Sequence, residues 1–225
     1  MTWSMKETLE KHTSKLEEHA PDPIVKSGYH HGDLRAGLIE ATRRLVEERG
    51  QHGFSVSDAC RLAGVSTAAP YKHFKDKNEM IVATVLEGMT RHRSNMLESI
   101  KEIPEGSPMR LKALGREYIN FALKEPGIFR LKFGGFTDKL EDDRLQSYGE
   151  DTFGFVLQEV AKCIGETEIN QDVRDRGFML WSFVHGLSFL LYDKRLSDMG
   201  GGFDLDNMLS ETAKMVLSTE KKRNL

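Results

Sequence analysis

The 225-residue chain is poor in several things at once: two cysteines, six prolines, two tryptophans and no long run of apolar residues. Cys60 and Cys163 alone cannot build the disulfide framework of a small secreted domain, which points to a reducing, cytoplasmic setting. The longest apolar stretch without Asp, Glu, Lys or Arg, residues 177–192, is interrupted by Ser182, His185, Gly186 and Ser188. It falls short of the roughly 20 residues a bilayer requires, so no membrane partner is expected. Residues 1–20 alternate Lys and Glu and lack the apolar centre of a signal peptide. There is no G-x-S-x-G, no phosphate-binding P-loop, no G-x-G-x-x-G and no H-E-x-x-H. With those motifs missing, neither an enzyme nor a cofactor is expected.

What is present is a soluble globular composition. Apolar residues make up 39% and charged residues 30%, which excludes collagen-like and disordered classes and leaves room for one or two domains. Net charge is −3, arguing against a wholly basic nucleic-acid binder. Residues 28–93 nevertheless carry +2 and five of the eight histidines, while the rest carries −5. A mildly cationic segment on an anionic remainder is compatible with a small DNA-reading head on a larger body.

Apolar spacing is helical nearly throughout, so the expected fold is all-α. Met5, Leu9 and Leu16 suggest an N-terminal helix ended by Pro21 and Pro23, with a frayed tail the alternative. Residues 33–49 carry one apolar stripe through Leu34, Leu38, Thr42, Leu45 and Val46, closed by Gly50 and Gly53. Residues 55–62 form a short helix with Ser55 as candidate N-cap, and a tight turn follows at Ala63, Gly64 and Val65. Ser66 is expected to cap a further short helix to about Phe74. A long helix then starts at Asp76 and ends before Pro104, with Met89, Met96, Leu97 and Ile100 facing the body core. Further helices are expected at 109–124, 128–133 after a break at Pro126 and Gly127, 145–163, 172–196, and 205–217 beyond a glycine hinge at 200–202.

Two short helices either side of Gly64, with Val56, Ala59, Cys60, Ala63, Val65 and Phe74 at core spacing, form a helix-turn-helix pattern. An ordinary tight αα-corner is the alternative. The second element suits a major groove. Thr67, Ala68 and Ala69 are small enough to approach base edges, Lys72 reaches a guanine edge or phosphate, and Tyr71, His73 and Lys77 supply phosphate donors.

Residues 55–77, SVSDACRLAGVSTAAPYKHFKDK, resemble the DNA-binding head of the TetR family of transcriptional regulators. The upstream Tyr29-His30-His31-Gly32-Asp33-Leu34-Arg35 is similar to the first-helix entry of one branch, and Trp181…His185-Gly186 is similar to the Trp…His-Gly signature of a ligand-domain branch. The resemblance implies three head helices, a connecting long helix, and a larger helical body for ligand binding and dimerisation. It also implies phosphate contacts at Tyr71, His73 and Lys77 and base reading at Thr67–Ala69, with Ser55 and Ser66 also at the DNA. Cys60 and Pro70 depart from the family pattern. Pro70 leaves open whether Ser66 or Thr67 caps the recognition element, and so which of Thr67 and Ala68 reaches a base.

On this basis residues 1–27 are a tail, 28–77 the head and 78–225 the body. The expected partners are double-stranded operator DNA, a small apolar effector and a second copy of the chain. Tyr118, Phe121, Phe133, Phe155, Trp181 and His185 are the candidate ligand-binding residues. His185 shares a helix face with Trp181, and a buried histidine at a packing site is its competing reading. Phe178–Leu191 and Leu205–Leu217 are the candidate pairing helices, with Ser182 and Gly186 permitting close approach. No metal is expected at His30, His31 and Asp33, since no Cys or His set completes a tetrahedron. Asp204 or Asp206 is expected to cap the last helix. A helical carrier or enzyme with an incidental helix-turn-helix corner is the competing function.

Overall fold

The computed structural model describes residues 34–136, 142–192 and 202–218. The expected N-terminal helix, His30, His31, Asp33, Gly200 and Gly201 lie outside them. Among the described residues there are eight α-helices and no strand. They are α1 (Leu34–Arg49), α2 (Val56–Ala63), α3 (Lys77–Ile100), α4 (Pro108–Lys124), α5 (Pro126–Phe133), α6 (Asp143–Ile164), α7 (Gln171–Tyr192) and α8 (Leu205–Leu217).

Contacts divide the described residues into two units, and the division falls inside α3 between Thr90 and Arg91. The first unit takes residues 34–90 and then 125–136 and 142–146. Its centre is the stripe of α1, where Leu38, Ile39, Ala41, Thr42, Leu45 and Val46 are buried. This stripe packs on α2 and α5. The break expected at Pro126 and Gly127 falls one residue earlier, at Glu125, and those two residues form the first turn of α5 instead of preceding it. Proline at the first helical position gives up only an N–H that a helix start leaves unpaired. The next N–H groups, of Gly127 and Ile128, donate to the Glu47 carboxylate on α1 at 2.7 and 3.1 Å. Burial pushes the Glu47 carboxyl up, and the two backbone bonds pull against that shift. A Cβ on Gly127 would stand 2.9 Å from both Glu47 Oε2 and Val46 Cγ1, so only glycine lets α5 start this close to α1.

The second unit takes residues 91–124, 147–192 and 202–218. Met96 and Ile100 of α3 pack with Leu111 and Leu114 of α4, Leu157, Val160 and Ala161 of α6 and Val173 of α7. Leu97 was expected in this core but is exposed. Met96 and Ile100 are one turn apart and face inward, which carries the intervening Leu97 around to solvent. Inside the unit lies an ion pair, Arg110 on α4 with Glu159 on α6, both side chains nearly inaccessible. Arg110 also donates to the carbonyls of Ile100 at 3.0 Å and Ile103 at 2.8 Å, closing the C-terminal end of α3. Burial pushes the Glu159 carboxyl up, but its bonds to Arg110 and Lys162 outweigh that and hold it below the usual range. At the far end, Asp204 caps α8 as expected, accepting from the Asn207 N–H at 3.0 Å.

Candidate nucleic-acid interface and ligand cavity

In the head, local chemistry fixes the turn. The Ser55 hydroxyl accepts from the Asp58 N–H at 3.2 Å, while the Asp58 carboxylate accepts from the Ser55 N–H at 2.8 Å. This reciprocal pair satisfies two donors that the start of α2 would otherwise leave open. At the other end Gly64 sits at φ +69°, the left-handed region that costs any other L-residue. Its neighbour Val65 donates back to the Cys60 carbonyl at 3.0 Å, closing the helix. Cys60 is buried among the apolar residues, and burial raises its thiol.

The element after the turn is not the short α-helix expected from Ser66 to Phe74. Residues 67–69 form turns, and only Pro70–Lys72 is helical, as a single 3-10 turn preceded by Ala69. Neither Ser66 nor Thr67 caps it, and Ala69 makes no side-chain cap bond. Pro70 explains the outcome. It has no N–H to give, so no α-type bond can run from residue 70 back to Ser66. The chain recovers one turn later, where His73 and Phe74 both donate to the Pro70 carbonyl at 2.9 Å.

This arrangement leaves Ser55, Ser66, Thr67, Ala68, Tyr71 and Lys72 exposed, with Ala69 and His73 half-buried. Tyr71 is 63% exposed, a high value for so large a ring. Lys77 differs from the others. Its ammonium donates to the carbonyls of Gln51 at 2.8 Å and Phe54 at 2.5 Å and lies 4.1 Å above the Phe54 ring. Desolvation lowers its pKa, partly countered by Asp58. Lys77 therefore fastens the start of α3 to the loop before α2, with one N–H left over from the two carbonyl bonds.

In the second unit, three of the candidate ligand residues meet. Trp181 Nε1 donates to the Tyr118 hydroxyl at 3.2 Å, and that hydroxyl shares a 2.8 Å bond with His185 Nδ1. Burial raises the Tyr118 phenol well above its ordinary value and lowers His185. Tyr118 and Trp181 also line a cavity of about 60 Å³ with residues of α3, α4, α6, α7 and α8. The other candidates do not line it. Phe121 is buried with its ring stacked 4.6 Å from His92, Phe155 packs on the core around Val160, and Phe133 lies against Phe129 in the first unit. Aromatic density along the chain marked these residues, but density does not set helix phase.

His92 was missed. It is 8% exposed on α3, edge-on to Tyr118 at 5.8 Å, and its Nδ1 has no hydrogen-bond partner. Burial alone lowers its pKa to about 4, so it is neutral at pH 7. The signal was a histidine on the apolar stripe of Met89, Met96 and Ile100.

The family description "Bacterial regulatory proteins, tetR family" matches residues 38–84, and "Tetracyclin repressor-like, C-terminal domain" matches residues 111–216. The chain belongs to the TetR family. Among curated TetR-type relatives, the HTH-type transcriptional regulator BetI of Escherichia coli (strain S88) is 35% identical over 81 residues, and that of Klebsiella pneumoniae (strain 342) 36%. Each match covers 36% of this chain and 42% of the relative, so the chain spans about two fifths of those relatives. Solved structures are similar over more of the length. A Rhodococcus sp. RHA1 protein of unknown function is 24% identical with TM-score 0.71, covering 85% of this chain and 97% of its own. FadR from Bacillus subtilis, solved in complex with stearoyl-CoA, is 18% identical with TM-score 0.60, covering 81% and 97%. At these identities the likeness is one of TetR-family fold.

Proposed function

We propose that the chain is a transcriptional repressor that binds a palindromic operator as a homodimer in the cytoplasm and is released by a small, largely apolar effector. The observation that carries the reading is the Ser55–Lys77 segment. It is a short helix, α2, capped at both ends and followed by turns that present Thr67, Ala68, Tyr71 and Lys72 to solvent on an otherwise anionic chain. Small side chains ahead of Pro70 suit base edges, while Tyr71, Lys72 and the spare donor of Lys77 suit phosphates. Ser55 and Ser66 add hydroxyls to the same surface, and His73 stands half-buried behind it. The name of the curated relatives, transcriptional regulator, supports the same role.

Pairing is supported by α7. Phe178, Ser182, Gly186 and Leu190 recur every four residues and are all exposed, with Phe178 at 57% and Leu190 at 41%. Such a stripe is covered by a second copy in a closed two-fold dimer, which would set two heads about 34 Å apart, or a multiple of it, on the duplex. The effector reading rests on Tyr118, Trp181 and His185, three polar aromatic groups bonded together beside an apolar cavity. That the FadR relative was solved with stearoyl-CoA fits an effector with a large apolar part. The Trp181…His185-Gly186 spacing supports placement in the branch with that signature.

The test is selection of DNA from a random pool by the purified chain, followed by mobility shift at several salt concentrations. An inverted repeat should emerge, with log affinity falling linearly against log salt at a slope of several units. Sedimentation should give about twice 25.5 kDa. Recovery of no enriched sequence, or a monomer at micromolar concentration, would overturn the reading.

A further inference from the structure

Pro70 is buried in the head, with Thr67 and Ala68 exposed before it and Tyr71 and Lys72 exposed after it. In an α-helix the N–H of residue 70 would donate to the Ser66 carbonyl, and that of Tyr71 to the Thr67 carbonyl. Pro70 has no N–H for the first of these bonds. The Ser66 carbonyl accepts from the Ala69 N–H at 3.0 Å instead, and the Ala69 carbonyl accepts from the Lys72 N–H at 3.3 Å. Each bond links residues three apart, the spacing of a 3-10 helix. Among the described residues, neither the Thr67 carbonyl nor the Tyr71 N–H has a hydrogen-bond partner.

This geometry sets how much duplex the element can read. The α-helix expected over Ser66–Phe74 would run about 13 Å at roughly 1.5 Å per residue, or about four base steps of roughly 3.4 Å. The 3-10 turn Pro70–Lys72 runs about 6 Å at roughly 2.0 Å per residue, under two steps. Ahead of it Thr67 and Ala68 lie in a turn, which doubles back rather than advancing along a groove. The exposed side chains therefore fall into two pairs, small Thr67 and Ala68 and long Tyr71 and Lys72, parted by half-buried Ala69 and buried Pro70.

Resting on the operator-binding reading above, we propose that Pro70 sets operator specificity without touching a base: it holds the reading element in this shortened form and confines direct base contact to about two or three consecutive base pairs of each half-site. The remaining affinity comes from phosphates, which carry no sequence.

The experiment selects DNA from a random pool with the full chain as parent, Pro70→Ala and Pro70→Leu. Both substitutions restore an N–H at position 70. Alanine leaves part of the ring's space empty and leucine overfills it, so a change shared by the two comes from the backbone and not from packing. The parent's half-site should show strong preference over no more than about three consecutive base pairs. In both variants the motif should widen by at least one position, with the preferred base favoured there at least about fivefold in mobility shift. Half-site spacing and salt slope should stay as in the parent, because the phosphate contacts are kept. Hydrogen exchange should find the Tyr71 amide unprotected in the parent and protected in the variants. An unchanged motif with affinity lowered evenly over all sequences, as a merely structural proline gives, overturns the inference. So does a protected Tyr71 amide in the parent. A parent motif of four or more strongly preferred consecutive base pairs also overturns it, and decides the matter even if both variants fail to fold. Enrichment of nothing by the parent sinks the regulator reading itself, and this inference with it.

Discussion

The Ser55–Lys77 segment and the interior around Arg110, Tyr118 and His92 put polar groups to opposite uses. In the first, side chains point to solvent, and the bonds that shape the turn join residues three to five apart, as between Ser55 and Asp58 or Val65 and Cys60. In the second, polar groups are turned inward, and their partners lie far along the chain: 49 positions between Arg110 and Glu159, 67 between Tyr118 and His185. A bond between near neighbours at the surface is cheap to lose, because water replaces it. A bond between distant, buried partners is costly to lose, because it strands a charge or a polar atom away from water.

The sharpest trial of that contrast is Glu159→Ala, which leaves the Arg110 guanidinium buried without its carboxylate. It should cost about 3–5 kcal/mol in denaturant unfolding. Next in size is an acid effect from His92. The unfolded chain binds a proton on this histidine below pH 6.5, whereas the fold refuses it until about pH 4. Stability should therefore fall as pH drops through that window, by on the order of 3 kcal/mol in all. His185, also lowered, acts in the same direction, and Glu47, raised, acts in the opposite one just above pH 4.5. The difference between the parent and His92→Phe in urea titrations at pH 7 and pH 5 isolates the His92 share, and an unchanged slope would break the argument.

Lys77 lies between the two regimes. Lys77→Ala removes two carbonyl bonds and the cation over Phe54, and should cost about 1–2 kcal/mol of stability as well as DNA affinity. A loss as large as that of Glu159→Ala would erase the distinction between head and interior. Tyr71→Phe is the smallest. It should change stability by less than about 0.5 kcal/mol while lowering affinity for every DNA sequence alike, as measured by mobility shift.

The same contrast governs what could be seen in the sequence. The cap at Ser55, the turn at Gly64, the cap at Asp204 and the stripe of α1 are all encoded within a few residues, and each stands where the sequence put it, whereas Leu97 falls off the stripe of α3. Trp181 and His185 could be paired because one helical turn separates them. Tyr118, 63 and 67 positions away, was marked as a pocket aromatic, yet its bonds to both could not be foreseen. Pro70 was seen as a departure, but its effect went further than a late start: it reduced an α-helix to one 3-10 turn. Pro126 and Gly127 looked like a break because the carboxylate that completes the first turn of α5 is 80 residues away, on Glu47. The ring positions of Phe121, Phe133 and Phe155 depended on which helix met which, and that lies beyond any local pattern.

The Glu47 contact has a consequence for building hybrids. A graft that transplants only residues up to the end of α3 onto another family member's body would leave behind Pro126–Phe133, the helix that covers α1 and whose N-terminus Glu47 closes. The donor's Glu47 and Val46 would then meet a foreign residue at the position of Gly127, where even one extra carbon stands 2.9 Å from both. A working chimera of this chain has to be assembled from two separate stretches of sequence, and the second is only a couple of dozen residues long.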